Sequence, residues 1–189
     1  MKKLPSTLKN MILSLTLIAS VAALGISVVS SVTATPIALA RQAKLEAAIN
    51  LVLPEFHRLE EPDVRDVDGG VLTFHRAYDE NDELVGVAIE TFSNRGFSGQ
   101  IRLMAGFLPD GTIHRVEVLG HAETPGLGDK IEHRKSTWPQ QFQGIHPATF
   151  DIRVRNDGGK IDAITAATIT ARAYSDAVQR AFDNLKTSD

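Results

Sequence analysis

The sequence predicts an α+β fold: an N-terminal transmembrane helix, then a twisted antiparallel sheet with helices packed on it. An uncharged apolar segment comes first, short alternating strands joined by turns follow, and a helical pattern with one apolar face comes last. The chain has 189 residues and a net charge of −3. That length suits one domain with appendages, and the mildly acidic balance gives no reason to expect a nucleic-acid partner.

The N-terminal segment predicts a membrane anchor. Lys2, Lys3 and Lys9 precede residues 10–40, which contain no charged residue. The apolar part reaches the roughly 20 residues that span a bilayer. A cleaved signal peptide is the alternative, because residues 38–40 read Ala-Leu-Ala, but a signal's apolar region has only about 7–15 residues. We therefore expect a retained single-pass anchor, with the basic flank in the cytoplasm and the rest of the chain outside, which in a bacterium is the periplasm.

Composition also predicts the domain organisation. Residues 1–40 form the cytoplasmic tip and transmembrane anchor, and residues 41–70 form a helical stalk and a charged, irregular linker. The stalk helix covers 41–53 and ends at Pro54, since proline cannot continue a helix. Residues 71–189 form the periplasmic domain.

Within that domain, period-two alternation and turn residues predict an antiparallel sheet with one buried face. A short helix is expected over 133–143. The last helix carries Tyr174, Val178, Ala181 and Leu185 on one apolar face. The predicted strands are 71–77, 84–92, 99–107, 113–119 and 149–155.

Three threonines crowd the junction between a Gly158-Gly159 turn and the last helix. The first turn of a helix offers free N–H groups and a partial positive charge, which suit a phosphate. Thr165 precedes the junction and is expected to cap the helix, Thr168 falls in the first turn, and Thr170 faces elsewhere. A hydroxyl there can carry a phosphoryl group. The alternative is a threonine-rich helix cap without a cofactor.

A second loop, residues 121–130, follows the fourth strand. Pro125 and two glycines predict a tight turn whose backbone a ligand can approach closely. Its mixture of polar and apolar side chains suits a flat ring with a polar edge, although an ordinary surface turn is the alternative. The candidate binding residues of this loop are Glu123, Thr124, Gly126, Leu127, Gly128 and Lys130.

Other chemistries find little support. The chain has no cysteine, which excludes disulfides, iron–sulfur clusters and cysteine-ligated metals. Its six histidines are scattered without a ligand spacing, so no metal site is predicted. No G-x-S-x-G stretch is present, and Gly126-Leu127-Gly128 lacks the rest of a dinucleotide fingerprint. Trp138 and Phe142 are expected in the core.

Two stretches carry a family resemblance. Residues 165–168, Thr-Ala-Ala-Thr, resemble the Ser/Thr-Gly-Ala-Thr flavinylation motif of bacterial FMN-binding subunits, with Asp162 three residues before it and Ala166 in place of the usual glycine. Residues 123–128, Glu-Thr-Pro-Gly-Leu-Gly, are similar to the same family's flavin-contacting loop. The chain most resembles the G subunits of Rnf ion-translocating electron-transport complexes. The related C subunits of sodium-translocating NADH:quinone reductases share both signatures but are generally longer.

The resemblance implies FMN bound covalently through a phosphoester to Thr168, with Thr165, Ala166, Ala167 and the second loop around it. It also implies a separate flavin transferase, five other subunits in a six-subunit complex of the bacterial inner membrane, and electron traffic between NADH and ferredoxin coupled to ion movement. No catalytic residue is expected, because the isolated subunit should turn over no substrate. The alternative from a different class is an anchored, non-redox periplasmic binding module.

Overall fold

The computed structural model describes residues 7–185, so Lys2 and Lys3, part of the predicted basic flank, lie outside the described residues. The chain divides into two units, Met1–Lys44 and Leu45–Asp189. The first unit consists of most of helix α1, which runs Leu8–Val52.

In the first unit, α1 has the properties of a membrane span. An 18-residue window reaches a mean hydropathy of 2.4 with none of it buried, and among the described residues this is the one helix long and apolar enough to cross a bilayer. Ser14, Ser31 and Thr33 donate hydrogen bonds from their hydroxyls to carbonyls three or four residues earlier. Their polar groups are therefore satisfied within the helix, as a lipid environment requires.

The second unit contains a six-stranded antiparallel sheet of order β1-β3-β4-β5-β6, in which β2 pairs with β3. The predicted fold class is confirmed, and the four strands of the meander lie where alternation placed them. The strands are β1 Arg58–Leu59, β2 Asp63–Val67, β3 Gly70–Tyr78, β4 Leu84–Gly96, β5 Gly99–Phe107 and β6 Ile113–Gly120.

Three local predictions were wrong. Residues 55–70 are not all irregular, because they contain β1 and β2. Residues 149–155 do not form a strand. The chain doubles back so soon that only one bridge forms, between Val154 and Ile161, before a 3₁₀ turn at Arg155–Asp157. The helix expected over 133–143 is a 3₁₀ helix, Trp138–Phe142, and a second lies at Gly128–Ile131.

Helix α2, Thr168–Leu185, covers one face of the sheet. Its predicted apolar face is confirmed, with Tyr174 and Val178 fully buried. The ring of Tyr174 contacts both Phe142 and Trp138, at centroid distances of 4.9 and 5.2 Å, so these two aromatic residues belong to the core as predicted. Polar bonds fix the helix on β4: Thr91 Oγ1 donates to the Ala177 carbonyl at 2.8 Å.

The last turns of α1, residues 45–52, pack on the opposite face. Val52 is fully buried in a small cluster with strand residues that include Ala88 and Met104. A Cβ at Gly106 would lie 1.8 Å from the Val52 carbonyl oxygen, so only glycine allows this close approach. His114 Nδ1 also lies 3.0 Å from that oxygen. The sheet is thus covered on both faces, by α2 on one side and by the end of α1 on the other.

Candidate functional site

A cavity of about 290 Å³ lies between the loop that follows β6 and the first turn of α2. It brings together two stretches that the sequence marked separately. The loop contributes Glu123, Thr124, Leu127 and Gly128, and the junction contributes Ala166, Ala167 and Thr168. Phe97, Ile169 and Thr170 complete the lining.

Three of the predicted site residues do not line this cavity. Thr165 is exposed on the approach to the helix. Gly126 is exposed at the tip of the loop, where its φ of +79° explains the glycine by backbone conformation. Lys130 lies in the 3₁₀ helix that follows, where its carbonyl accepts a 2.7 Å hydrogen bond from Ser136 Oγ.

Three apolar side chains surround the cavity in exposed positions. The exposed fractions are 67% for Phe97, 41% for Leu127 and 45% for Ile169. Phe97 and Ile169 were not predicted as site residues, because neither the pattern of the loops nor the helical periodicity identifies them. The one available signal was that Ile169 lies on the polar side of an otherwise amphipathic helix, and this signal is weak because single exposed apolar residues are common on protein surfaces.

The carboxylate of Glu123 holds the site together. Its side chain is buried, with Oε2 accepting a 2.5 Å hydrogen bond from Thr170 Oγ1 and Oε1 accepting a 3.0 Å bond from the Ser98 backbone N–H. The Glu123 backbone N–H donates to His121 Nδ1 at 3.0 Å, and His121 Nε2 lies 2.8 Å from Glu132 Oε1. Glu123 therefore ties the β4–β5 turn and its own loop to α2.

Gly128 is required by this arrangement. A Cβ there would lie 2.8 Å from Glu123 Cβ, 3.0 Å from Glu123 Oε2 and 3.1 Å from Thr170 Oγ1. The small size of Gly128 leaves room for the hydrogen bond between Glu123 and Thr170, as well as for a ligand. Glycine is thus needed at the two loop positions for different physical reasons: at Gly126 for the turn conformation and at Gly128 for close packing.

The helix begins two residues later than a Thr165 cap would require. The first turn closes with the Ala171 N–H donating to the Ala167 carbonyl at 3.1 Å, so Ala167 occupies the N-cap position and Thr168 is the first helical residue. The capping role predicted for Thr165 is therefore wrong. Thr168 is half-buried and lines the cavity, beside N–H groups that lie outside the helix's own ladder. Thr170 is buried and bonds to Glu123, but it also lines the cavity, so the expectation that it faces elsewhere was wrong.

Ala166 has an unusual backbone. Its φ is +63°, and among the described residues only Asp82 shares the left-handed region without being glycine. That conformation costs a residue with a Cβ roughly 1–2 kcal/mol. The motif that residues 165–168 resemble usually has a glycine at this position. The turn that reverses the chain directly before the helix therefore explains that glycine.

Asp162, which precedes the turn, is held through its backbone. Its N–H donates to Gln141 Oε1 at 2.8 Å, and its carbonyl accepts from Trp138 Nε1 at 2.6 Å. The carboxylate is exposed and pairs with Arg155 at 3.0 Å. The backbone leading into the junction is therefore fixed to the core, while the acidic group remains accessible from solvent.

Comparison with known proteins fits this geometry. A family model described as the FMN-binding domain matches residues 96–183, a range that includes both sides of the cavity. This match marks just under half of the chain as similar to the FMN-binding domain. The G subunit of an ion-translocating oxidoreductase complex from Vibrio cholerae is 36% identical over 165 residues, which cover 81% of this chain and 78% of that one. The chain belongs to this family of G subunits.

Two further comparisons cover a smaller part of the chain or show a lower identity. The G subunit of the complex from Shewanella piezotolerans is 45% identical over 104 residues, and this match spans 53% of the chain and about half (49%) of that relative. The crystal structure of Shewanella oneidensis NqrC is 23% identical, covers 74% of each chain and gives a TM-score of 0.48.

The buried hydrogen bond between Thr170 and Glu123 should contribute to stability. Thr170→Val keeps the shape but leaves the carboxylate with one donor fewer, so we expect a loss of about 2 kcal/mol in the free energy of unfolding. Thr165→Val, at an exposed position, should change it by less than about 0.5 kcal/mol. Denaturant unfolding of the full chain in detergent measures both, and equal effects would contradict the role given to this bond.

Relief of the left-handed backbone at position 166 should stabilise the domain. Ala166→Gly removes the Cβ penalty but makes the unfolded chain more flexible, so the net gain should be roughly 0.5 kcal/mol. Ala163→Gly, outside the left-handed region, is the matched control and should lower stability. The melting temperatures of the two variants should move in opposite directions. A decrease in both would show that the turn carries no strain.

Proposed function

We propose that this chain is a membrane-anchored subunit that carries covalently bound FMN and relays electrons within an ion-translocating oxidoreductase complex. The observation that carries the proposal is the cavity that Thr168, at the start of α2, lines together with the Glu123–Gly128 loop. Membership of the family of G subunits and the FMN-binding match support it.

The residues of the cavity fit FMN in chemical type. The first turn of α2 offers N–H groups and the positive end of the helix dipole, an arrangement that favours a phosphate by roughly 0.3–1 kcal/mol. Leu127, Ile169 and Phe97 offer apolar surface for a flat ring, and their exposure leaves it open to a redox partner. Thr124 and the loop backbone offer polar contacts. FMN would supply the electron transfer, while the protein holds it in place and tunes its surroundings.

In this proposal Thr168 carries the phosphoester, because it lines the cavity at the start of the helix. Thr165 is exposed before the helix begins, and Thr170 already donates its hydrogen to Glu123. A covalent link prevents loss of the cofactor, which suits a carrier outside the cytoplasmic flavin pool. A flavin transferase must then reach residues 162–168, and the exposed Asp162 carboxylate gives it a charged group to recognise.

We further propose that the domain lies in the periplasm of a bacterial cell and works with five other subunits in the inner membrane. The subunit alone should then turn over no substrate, since it holds a carrier group and no catalytic residue. A C-type subunit of a sodium-translocating NADH:quinone reductase would use the same site. A non-redox binding module would be colourless, whereas a covalent flavoprotein remains yellow after denaturation.

Loss of the Thr168 hydroxyl should abolish attachment of the flavin. Thr168→Val keeps the side chain's shape, so protein co-expressed with a flavin transferase should fold normally but lack the FMN adduct and the visible absorbance. Thr149→Val, exposed and outside residues 162–168, is the control and should stay flavinylated. Peptide mass spectrometry locates the adduct. An adduct on Thr165 or Thr170, or none on the unchanged chain, would refute the assignment.

The orientation of the anchor can be tested separately. Lys9 and the residues before it should remain in the cytoplasm, and everything after about Arg41 should lie outside, because basic flanks are retained inside. A C-terminal alkaline phosphatase fusion should therefore be active and a matching C-terminal green fluorescent protein fusion, exported unfolded, should be dark. The reverse pattern would place the domain in the cytoplasm and reject the carrier model.

A further inference from the structure

A second, larger cavity of about 460 Å³ lies beside α2 and is bounded by residues 152–157 and by Arg95 near the end of β4. We refer to it as the Arg95 cavity. Ile169 lines it as well as the cavity at Thr168, so a single side chain lies between the two. The function proposed above makes no use of the Arg95 cavity.

The lining of the Arg95 cavity is apolar at its base. Ile152 and Val154 are each only 1% exposed, and Ile169 adds apolar surface from the helix. Concave apolar surface with a few polar groups is typical of small-molecule sites, because burial of a ring or branched chain there removes apolar area from water.

Ser175 adds a polar group without a partner. It lines the cavity and is 5% exposed, and among the residues that the structure describes its Oγ has no hydrogen-bond partner. A buried hydroxyl left unpaired costs stability, and a ligand atom that pairs with it recovers that loss. Most serines of this kind in helices bond to the preceding turn, so the unpaired hydroxyl is a specific indication of a missing polar partner.

The charged groups around the cavity favour an anion. Arg172 pairs with Asp157, and Arg153 pairs with Asp151. Arg95 and Arg180 share the single carboxylate of Asp176, which leaves one positive charge. Arg172 is committed to Asp157 through two hydrogen bonds of 2.7 Å.

Arg95 is the guanidinium most easily recruited by a ligand. Its side chain is 77% exposed, and it reaches Asp176 only at 3.3 Å. Asp176 also accepts a 2.7 Å hydrogen bond from Ser93 Oγ, so it keeps a partner if Arg95 turns away. Movement of Arg95 toward a bound anion therefore breaks one weak, exposed ion pair and leaves no buried charge alone.

We propose that the Arg95 cavity binds a small amphiphilic carboxylate. Its ring or branched apolar body lies against Ile152 and Val154, a polar atom of that body pairs with Ser175, and its carboxylate pairs with Arg95. This site is distinct from the one at Thr168 and does not depend on the flavin being present. Its occupant would be a soluble acid about the size of a substituted benzoate.

The experiment uses the full chain in phosphatidylcholine nanodiscs, with empty nanodiscs as the reference for partition into lipid. Binding of 3-fluoro-4-hydroxybenzoate, whose ring hydroxyl can pair with Ser175, is followed by fluorine NMR, and 3-fluoro-4-hydroxybenzyl alcohol serves as the uncharged analogue. We expect saturable binding of the benzoate, weakened about fivefold by Arg95→Ala, with binding of the alcohol unchanged. Arg58→Ala is the matched control, because Arg58 is also an exposed arginine paired with an aspartate, Asp82. It should change neither affinity.

A second variant addresses the hydroxyl. Ser175→Ala should weaken the benzoate in the same assay while the melting temperature stays at or above that of the unchanged chain, since removal of an unpaired hydroxyl relieves a cost. Absence of saturable binding, or equal effects of Arg95→Ala and Arg58→Ala, would overturn the proposal. So would a loss of binding through Leu127→Ala without one through Arg95→Ala, because it would place the probe in the cavity at Thr168.

Discussion

The site depends on one buried hydrogen bond, from the Thr170 hydroxyl to the Glu123 carboxylate. A carboxylate with 5% exposure is tolerated only when its oxygens are satisfied, and here the second oxygen accepts from the Ser98 backbone. Three segments distant in sequence therefore meet at one side chain. A glycine at 128 follows from the same bond, since any Cβ there would enter the space that the two side chains occupy.

The sheet gives this arrangement a rigid base. Thr91 and Ser93 of β4 bond to the Ala177 carbonyl and to Asp176 on α2, so the helix cannot slide along the strand without leaving buried polar groups unpaired. The position of Thr168 follows from that fixed register. On the opposite face, the end of α1 packs against Gly106, and the sheet is held from both sides.

The sequence predicted the features that local pattern controls. Alternation located β3 to β6, and helical spacing located the buried face of α2. It did not predict that residues 149–155 would turn back after a single bridge, because their alternation, with Ile152 and Val154 buried, is that of a strand. Whether such a segment pairs depends on its neighbours in space.

In the candidate site, too, some features could be predicted from the local sequence and others could not. Family resemblance marked the loop and the threonine junction, but the pairing of Glu123 with Thr170 spans 47 positions and has no local signal. The left-handed φ at Ala166 was also hidden, since alanine normally indicates the opposite. The contribution of Phe97 depends on where the β4–β5 turn lies in the folded domain, which periodicity does not report.

The order of elements along the chain has a consequence for biosynthesis. Helix α2 follows every strand, yet together with the segment before it, which contributes Ile131 and Phe142, it covers the face that carries Phe74, Ile89 and Leu103. During synthesis that face of the sheet stays exposed, a state prone to aggregation, until the last helix has been made. The cavity at Thr168 also lacks one wall until then. Under the function proposed above, a transferase that recognises the closed cavity would modify only chains whose synthesis is complete, and attachment of the cofactor would act as a quality check on folding.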